Sequence, residues 1–266
     1  MGNNHPRVLF LSHGGGPLPL LGDDGHAEMV ENLTDLSLKM AKPSAIVVIS
    51  AHWEEAIPTI TSAAKPSLIY DYYGFPEASY RIEYPCPGKP SLAKQIGEMF
   101  SQSGIENRLD DRRGFDHGLF VPLKIMFPDA DIPCIQISLL KSLNPADHIQ
   151  IGSALSGIND NGLLIIGSGF SFHNMRAFFE PETIDGKKMN ESFEQWLIET
   201  CSNPDIGESE RAGRLKKWEN APHARYCHPR EEHLLPLHVC YGVRQTFCSE
   251  CFELRILNKK SSMYLW

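Results

Sequence analysis

Three histidines of the chain each stand shortly after an apolar run that predicts a buried strand. Ligands of α/β proteins collect outside the carboxyl ends of the strands, so side chains delivered there by separate strands can meet. Neutral imidazole is the commonest side-chain ligand of zinc and iron, so this placement predicts a metal site at that edge of the sheet. The residues are His13 after 8–11, His52 after 45–50 and His173 after 163–166.

A further ligand is expected from the segment 228–233, the densest group of ligating side chains elsewhere in the chain. It holds His228 and His233, with Glu231 and Glu232 between them. The spacing is not that of HExxH, so the zinc-protease pattern is absent. From the spacing alone, either histidine could complete the site.

Other short motifs give weaker indications of function. Residues 14–16 lack the Gly-Lys-Ser/Thr ending of a phosphate loop, so nucleotide binding is not indicated, and residues 167–169 do not form the GxSxG elbow of a serine hydrolase. Asp116, which precedes His117, fits either a carboxylate that orients a histidine or a helix N-cap. The histidines with no ligand-like context are interpreted as surface or core residues: His5, His26, His148, His223 and His238.

The elements that must position these side chains alternate along the chain. Strands are predicted at 8–11, 45–50, 132–138 and 163–166, and helices at 29–40, 90–100, 144–158, 187–200 and 231–242. Continuous Val, Ile and Leu runs between helices are typical of a sheet covered on both faces. We therefore expect an α/β fold with a central, mostly buried sheet flanked by helices and the metal site at the carboxyl ends of its strands. No linker or repeat interrupts the pattern, so residues 1–266 are expected to form one catalytic domain.

The composition suits a globular protein and excludes several partners. Of the 266 residues, 42% are hydrophobic, and 25 Lys and Arg against 33 Asp and Glu give a net charge of −8. This acidic balance argues against binding nucleic acid or an anionic membrane, and the apolar runs are too short to span a bilayer. A homo-oligomer is compatible with the sequence.

The cysteines and the N-terminus indicate a reducing compartment. Seven cysteines without a regular framework, and no recognisable signal peptide, predict a cytoplasmic protein. Residues 246–257 alternate as a strand does, which would put Cys248 and Cys251 on opposite faces. We interpret this pair as ordinary small residues rather than a zinc site.

Six sequence blocks together resemble the class III extradiol ring-cleavage dioxygenases, and more narrowly the single-chain DOPA 4,5-dioxygenase branch of that family. The blocks follow the family's order from about residue 8 to residue 242. Each block is weak alone, and the set is highly specific. They are residues 12–17, 50–53, 70–76, 114–118, 173–174 and 229–237.

The resemblance implies one α/β domain around a mononuclear non-haem metal. Carried over by motif, it makes His13 and His52 the first two ligands and His233, rather than His228, the third. The wider class uses two histidines and one glutamate, whereas this branch has histidine at the third position. Three histidines leave the charge of a divalent ion uncompensated and also suit zinc, so zinc is an alternative for the bound metal.

The resemblance also implies roles for two more histidines. His173 matches the family's acid–base histidine, with a fourth metal ligand as its alternative role, and His117 matches a histidine of the substrate pocket. Three aromatic residues of the 70–76 block, Tyr72, Tyr73 and Phe75, could form walls for an aromatic ring, although such clusters are more often packed loops.

The activity that the resemblance implies is ring opening of a catechol by O₂, with iron(II) as the working metal and a ring-opened semialdehyde as the product. Zinc has no redox chemistry and could not support this reaction. Two alternatives stay open from the residues. One is a zinc hydrolase that uses the same histidines with Glu231 or Glu232, and the other is a non-catalytic metal-binding relative acting as an interaction module.

Overall fold

The apolar runs of the sequence form the centre of an eight-stranded sheet. The computed structural model describes residues 6–158 and 162–266. The strands lie in the order β4-β3-β5-β2-β6-β1-β8-β7. They are β1 Arg7–Ser12, β2 Ala45–Glu55, β3 Thr59–Thr61, β4 Arg108–Asp110, β5 Cys134–Leu140, β6 Leu163–Gly169, β7 Glu250–Ile256 and β8 Lys259–Leu265.

The four central strands are parallel and buried. β5, β2, β6 and β1 pair in parallel register, for example Val8 with Ile165 and Val47 with Ile165. Parallel pairing brings the carboxyl ends of β1, β2 and β6 to one edge. β8 pairs antiparallel with β1 and β7 with β8, so the sheet is mixed towards the C-terminal part of the chain.

Helices pack against the sheet, which confirms the predicted α/β class. They are α1 Ala27–Lys39, α2 Pro90–Gln102, α3 His117–Met126, α4 Pro145–Leu155, α5 Met175–Phe179, α6 Ile184–Ser202, α7 Glu208–Lys216, α8 Ala224–Cys227 and α9 Leu235–Arg244. Local sequence explains their starts. The Asn144 side chain accepts a hydrogen bond from the Ala146 amide at 2.8 Å, and Pro145 occupies the first turn, where its missing N–H costs nothing.

Two boundaries differ from the prediction at the site itself. β2 continues to Glu55, so His52 lies within the strand rather than after it. The last helix begins at Leu235 instead of residue 231. Pro236 in its first turn has no N–H to donate, which favours a helix start there and leaves 231–234 as a turn. His233 therefore lies on the turn before the helix.

Outside the site, further features bear on the sequence predictions. The strand expected at 246–257 begins at Glu250, so Cys248 precedes it. All seven cysteines carry free thiols. Among the residues that the structure describes, no helix combines the length and apolar character needed to cross a bilayer. His5 lies outside the described residues.

Candidate metal centre

Three predicted ligands come together at the carboxyl edge of the parallel strands. His13, His52 and His233 each offer one ring nitrogen, and these atoms lie within 4.8 Å of one another. The Nε2 atoms of His13 and His52 are 3.0 Å apart. All three segments, from β1, β2 and the turn before α9, thus supply a nitrogen to the same small volume.

His13 is fixed by the neighbouring strand β6. Its backbone N–H donates to the Gly169 carbonyl at 3.2 Å, and its Nδ1 lies 3.1 Å from Ser168 Oγ. Ser168 Oγ donates its single hydrogen to the Gly118 carbonyl, so it must accept from His13 Nδ1–H. This assigns the bare lone pair of His13 to Nε2, the atom that faces His52.

His52 is aimed by an irregularity in β2. Residues 50–53 lie opposite residue 138 of β5 alone, and such bulges re-aim side chains beside active sites. Ser50 Oγ accepts the His52 backbone N–H at 3.1 Å. A Cβ on Gly118 would lie 2.5 Å from Ser50 Oγ and 3.4 Å from the His52 ring, so glycine is needed for the start of α3 to approach this bulge.

His233 is held by a carboxylate and by the end of β6. Its Nδ1 lies 2.9 Å from Glu232 Oε1, so Nδ1–H donates to the carboxylate and Nε2 is bare. Its carbonyl accepts the Phe170 N–H at 2.9 Å. A Cβ on Gly169 would lie only 2.1 Å from that carbonyl oxygen, so glycine permits this approach.

His173 lies against His233 rather than apart from the cluster. The two rings stack with centroids 3.4 Å apart and an angle of 14° between their planes. His173 Nδ1 is 3.4 Å from Glu232 Oε1, the same oxygen that accepts from His233. The His173 backbone N–H donates to the Cys227 carbonyl at 2.9 Å. One carboxylate therefore faces both rings.

His117 begins α3 on the other side of the centre. Its ring centroid lies 3.9 Å from that of His52. Its Nδ1 is 2.8 Å from Asp71 Oδ1, and its backbone N–H donates to the same oxygen at 3.0 Å. Asp71 Oδ2 lies 3.6 Å from His52 Nδ1, an electrostatic contact longer than a hydrogen bond.

Asp116 does not orient His117, and it is the N-cap of α3 by position only. It occupies the N-cap position of α3, but its side chain makes no cap hydrogen bond. Its buried carboxylate instead accepts from Ser50 Oγ at 2.8 Å, from Gln136 Nε2, and from Arg113 at 3.1 Å. The carboxylate that orients His117 is Asp71, from a distant segment.

Burial sets the charge state of the central histidines. Desolvation, followed by the nearby histidines, lowers the pKa of His13 and of His52 well below the usual value. Desolvation and the adjacent His173 lower the pKa of His233 to about 3. The three rings are therefore neutral near pH 7, the form that binds a metal ion.

The pKa values of the two nearby carboxylates, Asp71 and Glu232, are lowered, whereas burial alone would raise them. Burial acts to raise the pKa of Asp71, but the side-chain and backbone hydrogen bonds from His117 and the electrostatic attraction of its ring together outweigh burial and lower it. Burial opposes ionisation of Glu232 too, and the hydrogen bonds with His173 and His233 hold its pKa far below the usual value. Two ionised carboxylates thus lie beside the three neutral histidines, Glu232 bonded to the proposed ligand His233 and Asp71 bonded to His117.

The donor set fits a metal ion. The bare Nε2 of His13 lies 3.0 Å from His52 Nε2, and His233 offers a third ring nitrogen within 4.8 Å of both. Two nitrogens bound to one zinc or iron ion at about 2.0–2.2 Å, at about a right angle, are about 3 Å apart. The carboxylate behind His233 is also the outer partner typical of metal-bound histidine.

Comparison with known proteins agrees with this geometry. Residues 7–259 match the family described as the catalytic LigB subunit of aromatic ring-opening dioxygenase. The chain belongs to this family. It is therefore an aromatic ring-opening dioxygenase, an oxidoreductase rather than a hydrolase.

Individual relatives align with most of this chain. A protein named dioxygenase tasH from Hapsidospora irregularis is 40% identical over 249 residues, 88% of this chain and 77% of that protein. A 4,5-DOPA dioxygenase extradiol from Beta vulgaris is 36% identical over 245 residues, 90% of this chain and 87% of that protein. A crystal structure of an uncharacterized protein from Escherichia coli K12 is 26% identical, covers 98% of this chain and 99% of its own, and has a TM-score of 0.75.

The aromatic residues predicted to line the substrate pocket divide into two groups. The Tyr72 ring is buried and packs edge-on against His117 at 5.7 Å, with Phe75 behind it at 5.5 Å. Tyr73 is 91% exposed, so its side chain does not form a wall of the site. The prediction for Tyr73 is corrected because a side chain turned to solvent cannot enclose a bound ring.

Several candidate residues stay outside the centre. His228 is fully buried and its Nε2–H donates to the Ser171 carbonyl at 2.6 Å, so it supports the loop before His173. Glu231 pairs with Arg225 at 2.6 Å, pointing away from the histidines.

Three residues of the dioxygenase site were missed or set aside in the sequence analysis. Asp71 stands between two tyrosines in the 70–76 block, where only the aromatic residues drew attention. Ser168 fixes the tautomer of His13. His26, set aside as context-free, accepts the Gly15 N–H at 3.0 Å and contacts Asp23 at 2.7 Å, which holds the glycine loop after His13. A polar residue in an otherwise apolar block was the available signal for Asp71 and Ser168.

Proposed function

We propose that this dioxygenase is a metal-dependent extradiol enzyme that opens the ring of a catechol such as DOPA and gives a ring-opened semialdehyde. The observation that carries the proposal is the meeting of three neutral imidazole nitrogens within 4.8 Å, flanked by two further histidines. The names of the relatives, several of them 4,5-DOPA dioxygenases, support a catechol as the substrate class. The whole chain, residues 1–266, is taken as one catalytic domain.

His13, His52 and His233 would hold the metal through Nε2. When bound, iron(II) supplies the redox chemistry and Lewis acidity that ring opening by O₂ requires, whereas zinc supplies Lewis acidity alone. The ionised Glu232, hydrogen-bonded to His233, would offset part of the ion's charge from outside the ligand set. The three-histidine set would suit a divalent ion that also binds substrate oxygens.

His173 is proposed as the acid–base group. Its Nδ1 faces Glu232 Oε1 at 3.4 Å, so the carboxylate favours a proton on Nδ1 and leaves Nε2 to take a proton from a substrate hydroxyl. The same nitrogen would return the proton to the ring-opened product. Stacking on His233 fixes the ring beside the proposed ligands, and a role as fourth ligand is the alternative for the same nitrogen.

His117 and Tyr72 are proposed to position the ring. Because His117 Nδ1–H is bound to Asp71, Nε2 is free to accept a hydrogen bond from a substrate hydroxyl. The Tyr72 hydroxyl is held by the Ser79 carbonyl at 2.6 Å, which fixes its ring as a wall next to His117. Phe75 supports that wall from behind.

The test is oxygen uptake by the metal-loaded protein. Apo-protein reloaded anaerobically with Fe(II) should consume O₂ when given DOPA or another catechol and yield a yellow semialdehyde. The same protein with Zn²⁺ should bind the catechol without oxygen uptake, and Zn²⁺ should compete with Fe²⁺ for the nitrogen ligands. Equal product with either metal, or none with any catechol tried, would count against the proposal.

A further inference from the structure

Asp71 lies where it can control His117. Its Oδ1 accepts two hydrogen bonds from that one residue, from Nδ1–H at 2.8 Å and from the backbone N–H at 3.0 Å. The ring and the backbone of His117 are thereby tied to the same oxygen. A side chain held at two points has few orientations left, so this carboxylate fixes both the position and the tautomer of the ring.

The acid next to His117 in the chain does not make this contact. The adjacent acid, Asp116, is engaged with Ser50, Gln136 and Arg113 and makes no side-chain cap. The first N–H of α3 is therefore capped by Asp71, from a loop far upstream. The helix start and the substrate-facing ring depend on the same distant carboxylate.

Asp71 lies closer to His117 than to the proposed metal ligand His52. Tyr72, next in the chain, packs on His117, while Asp71 Oδ2 stays 3.6 Å from His52 Nδ1. The contact with the non-ligand histidine is thus short, and the contact with the proposed metal ligand is long. Loss of Asp71 should therefore act mainly on His117 and only weakly on the metal.

We propose that Asp71 is a positioning residue, which fixes the Nδ1–H tautomer of His117 and aims Nε2 at the substrate hydroxyl. The inference rests on the proposed function, because it assigns the hydrogen bond from His117 to a substrate held at the metal. It predicts that Asp71 affects catechol turnover far more than metal affinity.

The experiment compares Asp71→Ala with Asp71→Asn. Alanine removes both hydrogen bonds, and we expect kcat/KM for a catechol with the Fe(II) enzyme to fall about 10–100-fold, the range for outer partners of site histidines. Asparagine can still accept both bonds through Oδ1, so it should restore most of the activity. Zinc affinity, measured by competition with a chromophoric chelator, should change less than about threefold in either variant, far below that range.

The matched control is Asp110→Ala. Asp110 also accepts two backbone N–H groups, from Arg112 at 2.9 Å and Arg113 at 3.0 Å, but it contacts no histidine of the site. A carboxylate that merely supports a loop would give similar losses in both alanine variants. We expect the Asp110 variant to keep wild-type kinetics.

A spectroscopic arm separates this inference from the proposed function. Long-range ¹H–¹⁵N NMR of the zinc-loaded wild type should show the proton of the His117 ring on Nδ1, with Nε2 as the accepting nitrogen. The Nε2–H tautomer would overturn the inference, as would wild-type kinetics in Asp71→Ala or equal losses in the Ala and Asn variants. Wild-type protein that binds zinc but, after reloading with Fe(II), consumes no O₂ with any catechol tried would refute the proposed function instead, with the tautomer still deciding the role of Asp71.

Discussion

Two groups of buried histidines share an electrostatic state but differ in their partners. Burial lowers the pKa of every member of both groups. A lowered pKa therefore does not mark the functional group. The central group is His13, His52 and His233, and the structural group is His148, His228 and His238.

The difference lies in the second ring nitrogen. His148 donates from Nδ1 to the Asn144 carbonyl at 2.7 Å and accepts the Leu140 N–H at Nε2 at 3.1 Å, so both nitrogens are used by the backbone. His13 and His233 each bond outward through Nδ1, to Ser168 and to Glu232, and turn Nε2 towards other histidines. A ring nitrogen turned towards another ring nitrogen, rather than burial, is what distinguishes a candidate ligand.

The largest effect should come from removing one central histidine. We expect His13→Ala to weaken zinc binding by more than about 100-fold, beyond the range for outer partners, because a direct ligand is lost. His148→Gln, from the structural group, should bind zinc as the wild type does. Isothermal titration on both variants checks this, and equal affinities would remove the distinction between the groups.

A large effect on turnover is expected at the edge of the central group. His173→Ala should lower kcat about 10²–10⁴-fold, the usual contribution of proton transfer, while most metal binding remains. Stopped-flow kinetics and metal analysis of one preparation check both parts. Unchanged turnover would refute the acid–base role, and complete loss of metal would show that His173 is a ligand.

A smaller effect is expected at the outward bond of His233. Glu232→Ala removes the acceptor of His233 Nδ1–H, so zinc affinity should fall about 10–100-fold. Glu231→Ala is the matched control, because that carboxylate pairs with Arg225. If both variants bind zinc equally well, the orientation of His233 does not depend on Glu232.

Local sequence predicted the positions of the parallel strands and the histidines at their ends, because apolar runs and strand–ligand geometry are local patterns. It could not predict Asp71, since the contact with His117 joins segments far apart in the chain. It also misplaced Tyr73, whose direction depends on the path of the loop. The bulge that aims His52 arises from pairing with β5, which no local pattern encodes.

The last effect concerns folding stability in acid rather than metal binding or turnover. Burial lowers the pKa of His148 and His238 to about 4 and that of His228 to about 3. Below pH 6.5 the unfolded chain binds protons at these histidines that the folded chain does not. Stability therefore falls as the pH drops from about 6.5 towards 4, by up to about 1.4 kcal/mol per pH unit for each such group.

One buried acid opposes this trend and supplies the sharpest test. Burial raises the pKa of Glu194 to about 7, so the folded chain holds a proton there that the unfolded chain releases above about pH 4.5, and stability falls as the pH rises towards 7. Glu194→Gln removes that opposing contribution, while its amide oxygen can still accept from Ser262 Oγ. Urea unfolding from pH 4.5 to 7.5 should give a steeper loss of stability in acid for this variant than for the wild type, and His148→Gln a shallower one. Parallel curves for all three proteins would show that these buried groups do not set the pH dependence.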